Sequence, residues 1–448
     1  MNNGEGHTIY MLGIGGIGMS ALARYYQYKG YTVAGYDRTE SPLTKQLESE
    51  GMAIHYEDNP DLLPALIDFV VYSPAVKRES CPKEYEALDQ RNLPIMKRAV
   101  ALGKVTEGHF TIAVAGTHGK TTTTAMVAHI LNECGMSTTA FIGGIANNFN
   151  SNLLMSKEKE YVIVVEADEF DHSFLQLRPD ISIINSIDAD HLDIYGDKQH
   201  VVQSFNDFAH LTERNVIVKE GLAVEVWNKI SFGFGAGCDY RIEDINSGHG
   251  ISCFGICGEG RTYVVNLPMA GAHNMLNATA AFIAARKVGI EGEAIAEALS
   301  TFKGVKRRFD IRVNNEKHCY IDDYAHHPEE IRSCLTAVRS AFPEKRVTLV
   351  FQPHLFSRTR DFMDGFAAVL AMADELILLD IYPARELPIE GITSAALLEK
   401  VQLANKKICS KSELMDLIDS EKPELLITMG AGDIDRFVEP LEEKIKAW

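Results

Sequence analysis

The sequence predicts an α/β protein built from three strand-and-helix units in series. Three observations carry that expectation. Short β-branched runs alternate with helix-like segments along the chain, the pattern of parallel sheets joined by crossover helices. Two of those runs lead into glycine-containing turns that open a helix, at 13–18 and 116–121. The length, 448 residues, leaves room for two or three cores at roughly 150 residues each.

The first unit runs over residues 1–106. In it Thr8–Leu12 reads as a strand, Ser20–Lys29 as a helix, and Tyr31–Gly35 and Phe69–Tyr72 as further strands. The second, 107–305, opens on the buried-type strand Thr111–Ala115 and continues through a helix over Thr121–Cys134. Strands follow at Tyr161–Val165 and Ile181–Asn185, and an alanine-rich helix at Ala278–Val288. The glycine-rich stretch 233–260 is expected to leave this pattern as a hairpin. The third unit, 306–448, begins at Lys306-Arg307-Arg308 and has strands at Cys319–Asp322, Val347–Phe351, Leu376–Asp380 and Leu425–Thr428.

Composition narrows the function. Apolar residues make up 46% and charged residues 24%, the balance of an ordinary soluble protein. The formal net charge of −18 repels phosphate backbones, so nucleic acid is not expected as a partner. No apolar run approaches the ~18 residues of a membrane span, and no cleavable leader is read at the start. Eight cysteines are scattered, and no second close pair joins Cys253 and Cys257 to complete a zinc site. A cytoplasmic protein with reduced thiols is the expectation.

The chemistry concentrates after strands. Gly13-Ile14-Gly15-Gly16-Ile17-Gly18 fits the G-x-G-x-x-G pattern, whose glycines let the backbone approach a diphosphate at a helix N-terminus. Asp37 closes the next strand, where an acid can meet a ribose. NAD and a sugar nucleotide diphosphate both satisfy that loop. Gly116-Thr117-His118-Gly119-Lys120-Thr121 forms a tighter phosphate loop, with Val114 where a full Walker sequence has glycine. Its amides would cradle phosphates, Lys120 would reach the terminal one, and Thr121 could hold Mg²⁺. Two acidic clusters follow neighbouring strands: Glu166-Ala167-Asp168-Glu169 and Asp188-Ala189-Asp190-His191-Leu192-Asp193. They are expected to converge on a Mg²⁺ site beside the loop. In the third unit, His326, His354, Arg358 and Arg360 follow strands, and cations there suit an anionic substrate.

Together these segments resemble the muramate ligase family of peptidoglycan synthesis. Gly116–Thr122 resembles its ATP loop and Glu166–Glu169 its metal acids. His273-Asn274-Met275-Leu276-Asn277 and Asp323-Tyr324-Ala325-His326-His327-Pro328 resemble its adenine and third-domain motifs. The glycine loop, with Phe351-Gln352-Pro353-His354 and Arg358-Thr359-Arg360-Asp361, points to the member that adds L-alanine to UDP-N-acetylmuramate.

The resemblance implies a fold of three α/β domains: a Rossmann-like N-terminal domain for the UDP-sugar, a central P-loop ATPase domain, and a Rossmann-like C-terminal domain for the amino acid. It implies an ATP-dependent ligase that works through an acyl phosphate with Mg²⁺, as a monomer or homodimer, serving cell-wall biogenesis, cell shape and division. By the same resemblance Gly15, Gly16, Ile17, Gly18, Asp37, Ser73 and Arg98 would hold the UDP-sugar. Gly116, Thr117, His118, Gly119, Lys120, Thr121 and Thr122 would hold the ATP phosphates. His273, Asn274, Asn277, Asp323 and Tyr324 would surround adenosine, with Arg308 on a phosphate. Thr121, Glu166 and His191 would ligate the metal. His326 and Arg358 would face the amino acid. Lys120, Glu166, His191, Arg308, His326 and Arg358 are thus the expected catalytic set. The sequence departs from the family at Tyr36, where serine is usual, and at Leu355, where arginine is usual.

Overall fold

The computed structural model describes residues 4–188, 197–248, 250–384 and 386–448. Strands β1 (Thr8–Leu12), β2 (Thr32–Tyr36), β3 (Ala53–His55), β4 (Phe69–Tyr72) and β5 (Ile95–Lys97) form the first sheet, in the order β3-β2-β1-β4-β5. All its pairings are parallel. The chain runs outward from β1 to β2 and returns to β4 on the other side. That reversal opens a crevice at the carboxyl ends of β1 and β4, where open α/β sheets bind ligands. Both faces of β1 are buried: Ile9 and Met11 enter one apolar cluster, Tyr10 and Leu12 another. Double burial explains why the run shows no polar alternation.

The second sheet has ten strands. They are β6 (Thr111–Ala115), β7 (Thr138–Ala146), β8 (Ser151–Leu154), β9 (Val162–Glu166), β10 (Ile181–Ile184), β11 (Asn215–Lys219), β12 (Lys229–Gly233), β13 (Tyr240–Gly248), β14 (Ile251–Gly258) and β15 (Arg261–Leu267). The order is β15-β14-β13-β12-β11-β10-β6-β9-β7-β8. From β7 across to β12 the pairings are parallel, and β8 lies antiparallel on the outer edge of β7. The third sheet joins β16 (Asp310–Asn314), β17 (Cys319–Asp323), β18 (Val347–Phe351), β19 (Glu375–Leu378), β20 (Lys406–Ile408) and β21 (Leu425–Met429), ordered β16-β17-β21-β18-β19-β20. It is parallel except for β16.

These elements form two compact units: Met1–Ile242, Ile256–Tyr263 and Leu276–Leu299 in one, and Glu243–Gly255, Val264–Met275 and Ser300–Trp448 in the other. In the first, a single apolar cluster runs from Ile9 and Leu22 through Phe141 and Ile163 to Phe174 and Phe205. The helix following β1, α1 (Ile17–Tyr28), lies inside that cluster with Leu22 and Tyr25 buried. In the second unit Tyr320, Val350, Ile377, Leu426 and Leu441 form a cluster of their own.

The stretch 233–260 supplies β13 and β14, neighbours in the sheet as a hairpin reading expects, and β15 follows. All eight cysteines are free thiols. Among the described residues no helix is long and apolar enough to cross a membrane.

Candidate active site

The first glycine loop leaves β1 through Gly13, whose φ of +82° is open to glycine at little cost. The N–H groups of Gly13 and Ile14 both donate to the Tyr36 carbonyl, at 2.7 and 3.1 Å. Tyr36 thus supports the loop through its backbone, a role that any residue can fill. Asp37 accepts from Gly15 N at 2.9 Å through Oδ2 and from Thr39 N at 3.2 Å through Oδ1. It therefore braces the loop from behind. A Cβ on Gly15 would lie 2.9 Å from that carboxylate oxygen. Helix α1 then starts with Gly16 at its N-cap and no side chain capping it, so its first amides remain available to an anion.

That helix end opens on a cavity of about 300 Å³. Gly16, Ile17, Gly18, Ser73 and Arg98 line one side, and Gly143, Glu166 and Asp168 line the other. Five of the seven residues expected at the UDP-sugar therefore share one cavity with the acids at the end of β9. Arg98 is drawn to Asp168, with Nη2 to Oδ2 at 3.1 Å. A Cβ on Gly18 would meet its guanidinium at 2.7 Å.

The second loop leaves β6 through Gly116 (φ +137°) and enters the helix Lys120–Glu133 through Gly119 (φ +82°). Ser186, beyond β10, holds it: its Oγ accepts from His118 N at 2.8 Å and from Thr117 Oγ1 at 2.9 Å. Asn277 lies against the same loop, since a Cβ on Gly119 would come within 2.5 Å of its Oδ1. Lys120 points back into the loop. Its Nζ donates to Gly116 O at 2.7 Å and to the Glu169 carboxylate at 2.8 and 3.0 Å. Burial pulls the ammonium pKa down, but Glu169, Asp168 and Glu166 together lift it above its ordinary value. Lys120 is a fixed cation.

Thr121 donates its hydroxyl to Glu166 at 3.0 and 3.1 Å, and Gly143 N donates to the same carboxylate at 2.8 Å. A Cβ at Gly143 would collide with Glu166. A hydroxyl beside a carboxylate is a hard oxygen donor set of the kind Mg²⁺ takes. The expected convergence of acids is only partly met. Glu169 is taken up by Lys120 and Asp168 by Arg98, because each buried or half-buried charge pairs with the nearest cation. Among the described residues no three histidine, cysteine or acidic side chains form a metal cluster. His191, Asp190 and Asp193 lie outside the described residues.

The remaining expected residues belong to the second unit. His273 and Asn274 begin the helix Ala272–Lys287, with Asn274 Nδ2 bonded to Ala270 O at 2.8 Å. Burial lowers His273 to about 4. Asp323 ends β17 and accepts from Phe309 N and Ala325 N, each at 2.7 Å; burial lifts its carboxyl to about 6. Arg308 lies over the Tyr324 ring, 4.9 Å from its centroid. The preceding Arg307 lies over the same ring, at 5.1 Å, and is tied down, to Asp322 at 3.2 Å and to Gly430 O at 2.5 Å.

His326 Nδ1 lies 3.0 Å from Tyr324 O and 3.3 Å from Glu330. Its ring meets His354 edge-on at 5.9 Å, and His354 stacks on Tyr382 at 5.7 Å. Burial depresses both histidines, and the positive charge of Arg358 acts on both in the same direction. The structure therefore groups His326, His354 and Arg358. Arg360 is exposed and pairs with its neighbour Asp361 at 2.8 Å, outside that group. Leu355, between His354 and the helix Phe356–Asp361, has φ +70°.

Four contributors escaped the sequence reading: Ser186, Glu169 as the lysine's partner, Gly143 and Tyr382. Tyr382 follows β19 as His354 follows β18, and that shared position after adjacent strands was the available signal.

Three family models match the chain in order. The Mur ligase family catalytic domain matches residues 8–110, the Mur ligase middle domain 114–285, and the Mur ligase glutamate ligase domain 307–432. A UDP-N-acetylmuramate–L-alanine ligase of Cytophaga hutchinsonii is 46% identical, covering 99% of this chain and 97% of its own. The protein of that name from Christiangramia forsetii is 47% identical, covering 97% of each. Among solved structures, a UDP-N-acetylmuramate–alanine ligase of Thermotoga maritima superposes with a TM-score of 0.85 at 29% identity, covering 98% and 99% of the two chains. A murein peptide ligase of Psychrobacter arcticus superposes with a TM-score of 0.73 at 25% identity, with the same coverage.

Proposed function

The chain belongs to the Mur ligase family, and on that premise we propose that it joins L-alanine to the carboxylate of UDP-N-acetylmuramate, consuming ATP, in peptidoglycan precursor synthesis. The observation that carries this reading is the shared cavity: a diphosphate-type glycine loop and the carboxylate beside a phosphate loop line one space of about 300 Å³. A dehydrogenase would use the first loop and leave the second without a purpose.

A carboxylate is a poor electrophile, so amide formation needs activation. The γ-phosphoryl group of ATP passes to the muramoyl carboxylate oxygen, breaking the bond to ADP and giving an acyl phosphate. The amine of L-alanine then attacks the carbonyl carbon, loses a proton and expels phosphate. Negative charge builds on oxygens in both steps, and fixed cations lower its energy most when they are already in place. Lys120 meets that condition, held by Gly116 and Glu169. Arg308 adds a second cation. Mg²⁺, held by Thr121, Glu166 and His191, would supply charge neutralisation at the phosphates. His326 and Arg358 receive the amino acid, with Arg358 as carboxylate partner where Leu355 replaces the usual arginine.

We assign the UDP-sugar to residues 1–106, ATP to 107–305 and the amino acid to 306–448. In the first, Gly15 to Gly18, Ser73 and Arg98 contact the UDP-sugar and Asp37 braces the loop. ATP meets residues 116–122, His273, Asn274, Asn277, Asp323 and Tyr324. The enzyme works in the cytoplasm, as a monomer or homodimer. Phosphate release from ATP with UDP-N-acetylmuramate, across a panel of amino acids and short peptides, tests the reading. Release with L-alanine above all others is expected. Release only with a preformed peptide would make the chain a peptide-adding ligase instead.

A further inference from the structure

The glycine-loop helix is not held by its own sheet alone. Asn152, on the edge strand β8 of the second sheet, is fully buried against the first turns of α1. Its Nδ2 donates to the Ile17 carbonyl at 2.7 Å and to Ser20 Oγ at 2.9 Å. Its Oδ1 accepts from Arg24 Nη1 at 2.5 Å. Arg24 is itself fixed by two bonds to Glu50, each 2.8 Å. The amide orientation follows from the chemistry: only the oxygen can face a guanidinium, and only the nitrogen can face a carbonyl.

Three bonds spread over two turns leave α1 little freedom to rotate or slide against β8. Ile17 is the first residue of α1 and lines the candidate cavity. Strand β7, which pairs with β8, carries Gly143, whose N–H donates to Glu166 at 2.8 Å. One hairpin therefore grips the glycine-loop helix through Asn152 and the acid of the phosphate site through Gly143. Buried polar groups with every bond made specify one arrangement more sharply than apolar packing does.

We propose that Asn152 is a positioning residue: it sets the distance between the UDP-sugar's diphosphate and the phosphoryl-transfer centre. It touches neither substrate. This rests on the ligase reading above and extends it. Binding of UDP-N-acetylmuramate depends on groups of the first sheet, whereas transfer needs the muramoyl carboxylate in line with ATP. A displacement near 1 Å costs about 100-fold in rate while leaving binding contacts intact.

The test measures binding and activation separately in Asn152→Ala. Calorimetry gives the Kd for UDP-N-acetylmuramate, and hydroxylamine trapping with ATP gives the rate of acyl-phosphate formation. The expected result is a Kd within about 3-fold of wild type and trapping slowed by roughly 10- to 100-fold. Ser20→Ala, which keeps the bond to Ile17, should slow trapping by less than about 3-fold. Arg24→Ala frees the other side of Asn152 and should repeat the split more weakly, so it serves if Asn152→Ala does not fold. Equal losses of binding and trapping in the folded variants would make the contact merely structural and overturn the proposal. So would unchanged trapping in Asn152→Ala. Failure of the wild-type enzyme to trap any activated sugar would instead overturn the ligase reading.

Discussion

Lys120, proposed to act in phosphoryl transfer, is also tied into the fold. Its ammonium faces Glu169, which is only 2% exposed. Removing one partner of a buried ion pair leaves the other charge stranded, a loss of about 3–5 kcal/mol. Lys120→Ala should therefore melt earlier as well as lose turnover by at least about 100- to 1000-fold. Adding Glu169→Gln removes the stranded charge, so the double variant should regain melting temperature without regaining turnover. Recovery of ADP formation in the double variant would show that the lysine only neutralised Glu169. Arg358 poses a different question, because the partner proposed for it is the incoming amino acid. Truncating one side of a buried charge pair costs about 2–5 kcal/mol, so Arg358→Ala should cut kcat/KM for L-alanine by roughly 30-fold to several thousandfold. Hydroxylamine trapping without amino acid should change far less. Equal loss of both would make Arg358 a phosphate ligand.

At the scale of elements, the central strands were legible because double burial leaves an unbroken apolar run. Thr8–Leu12, Phe69–Tyr72, Thr111–Ala115 and Val347–Phe351 occur with the expected ends. Helix starts were less legible. The helix read from Ser20 begins at Ile17, because Gly16 and Gly18 have low helix propensity and mask its first turn in the sequence. The one read from Ala278 begins at Ala272, ahead of the polar His273 and Asn274. Lys120 and Thr121 were visible as a motif and Glu166 was expected beside Thr121, but Glu169 as the lysine's partner was not, since nothing local tells which acid of the cluster meets the ammonium. The first sheet also hides a buried network that no motif announced. Tyr10 on β1 donates to Glu84 at 2.5 Å, and its hydroxyl lies 2.8 Å from His55 Nε2 on β3. Burial foremost lifts the Glu84 carboxyl to about 7, helped by Asp58 and opposed by Tyr10 and the Asn59 backbone. Burial of His55 favours its neutral form. An acid whose folded pKa is raised stabilises the fold below its unfolded pKa, and that contribution fades as pH climbs through the folded value. Between about pH 4.5 and 7 the enzyme should therefore lose on the order of 2–3 kcal/mol through this group. Glu84→Gln should flatten that slope, gaining melting temperature at pH 8 and little at pH 5. An unaltered slope would assign the pH dependence to other groups.

At the scale of the molecule, the first two sheets share one core. Ile9 and Met11 of β1 belong to the same apolar cluster as Phe141 of β7, Ile163 of β9 and Phe205 beyond β10. The second unit keeps a separate cluster around Tyr320 and Leu426. Elements that share a core open together, and a ligand binding the folded form slows that opening by mass action. UDP-N-acetylmuramate at 100 times its Kd should add about 2.7 kcal/mol to whatever unit it binds. Hydrogen exchange of the slowest amides in that unit should slow about 100-fold. The prediction concerns which amides respond. Val70 and Val71 of β4 should gain protection, and so should Ile183 and Ile184 of β10, although β10 belongs to the sheet assigned to ATP. Val350 of β18 and Leu426 of β21 should change little, because they belong to the separate cluster of the second unit. Protection confined to β4 would mean that the shared cluster does not make the two sheets cooperative, and that Asn152 joins bodies which open separately.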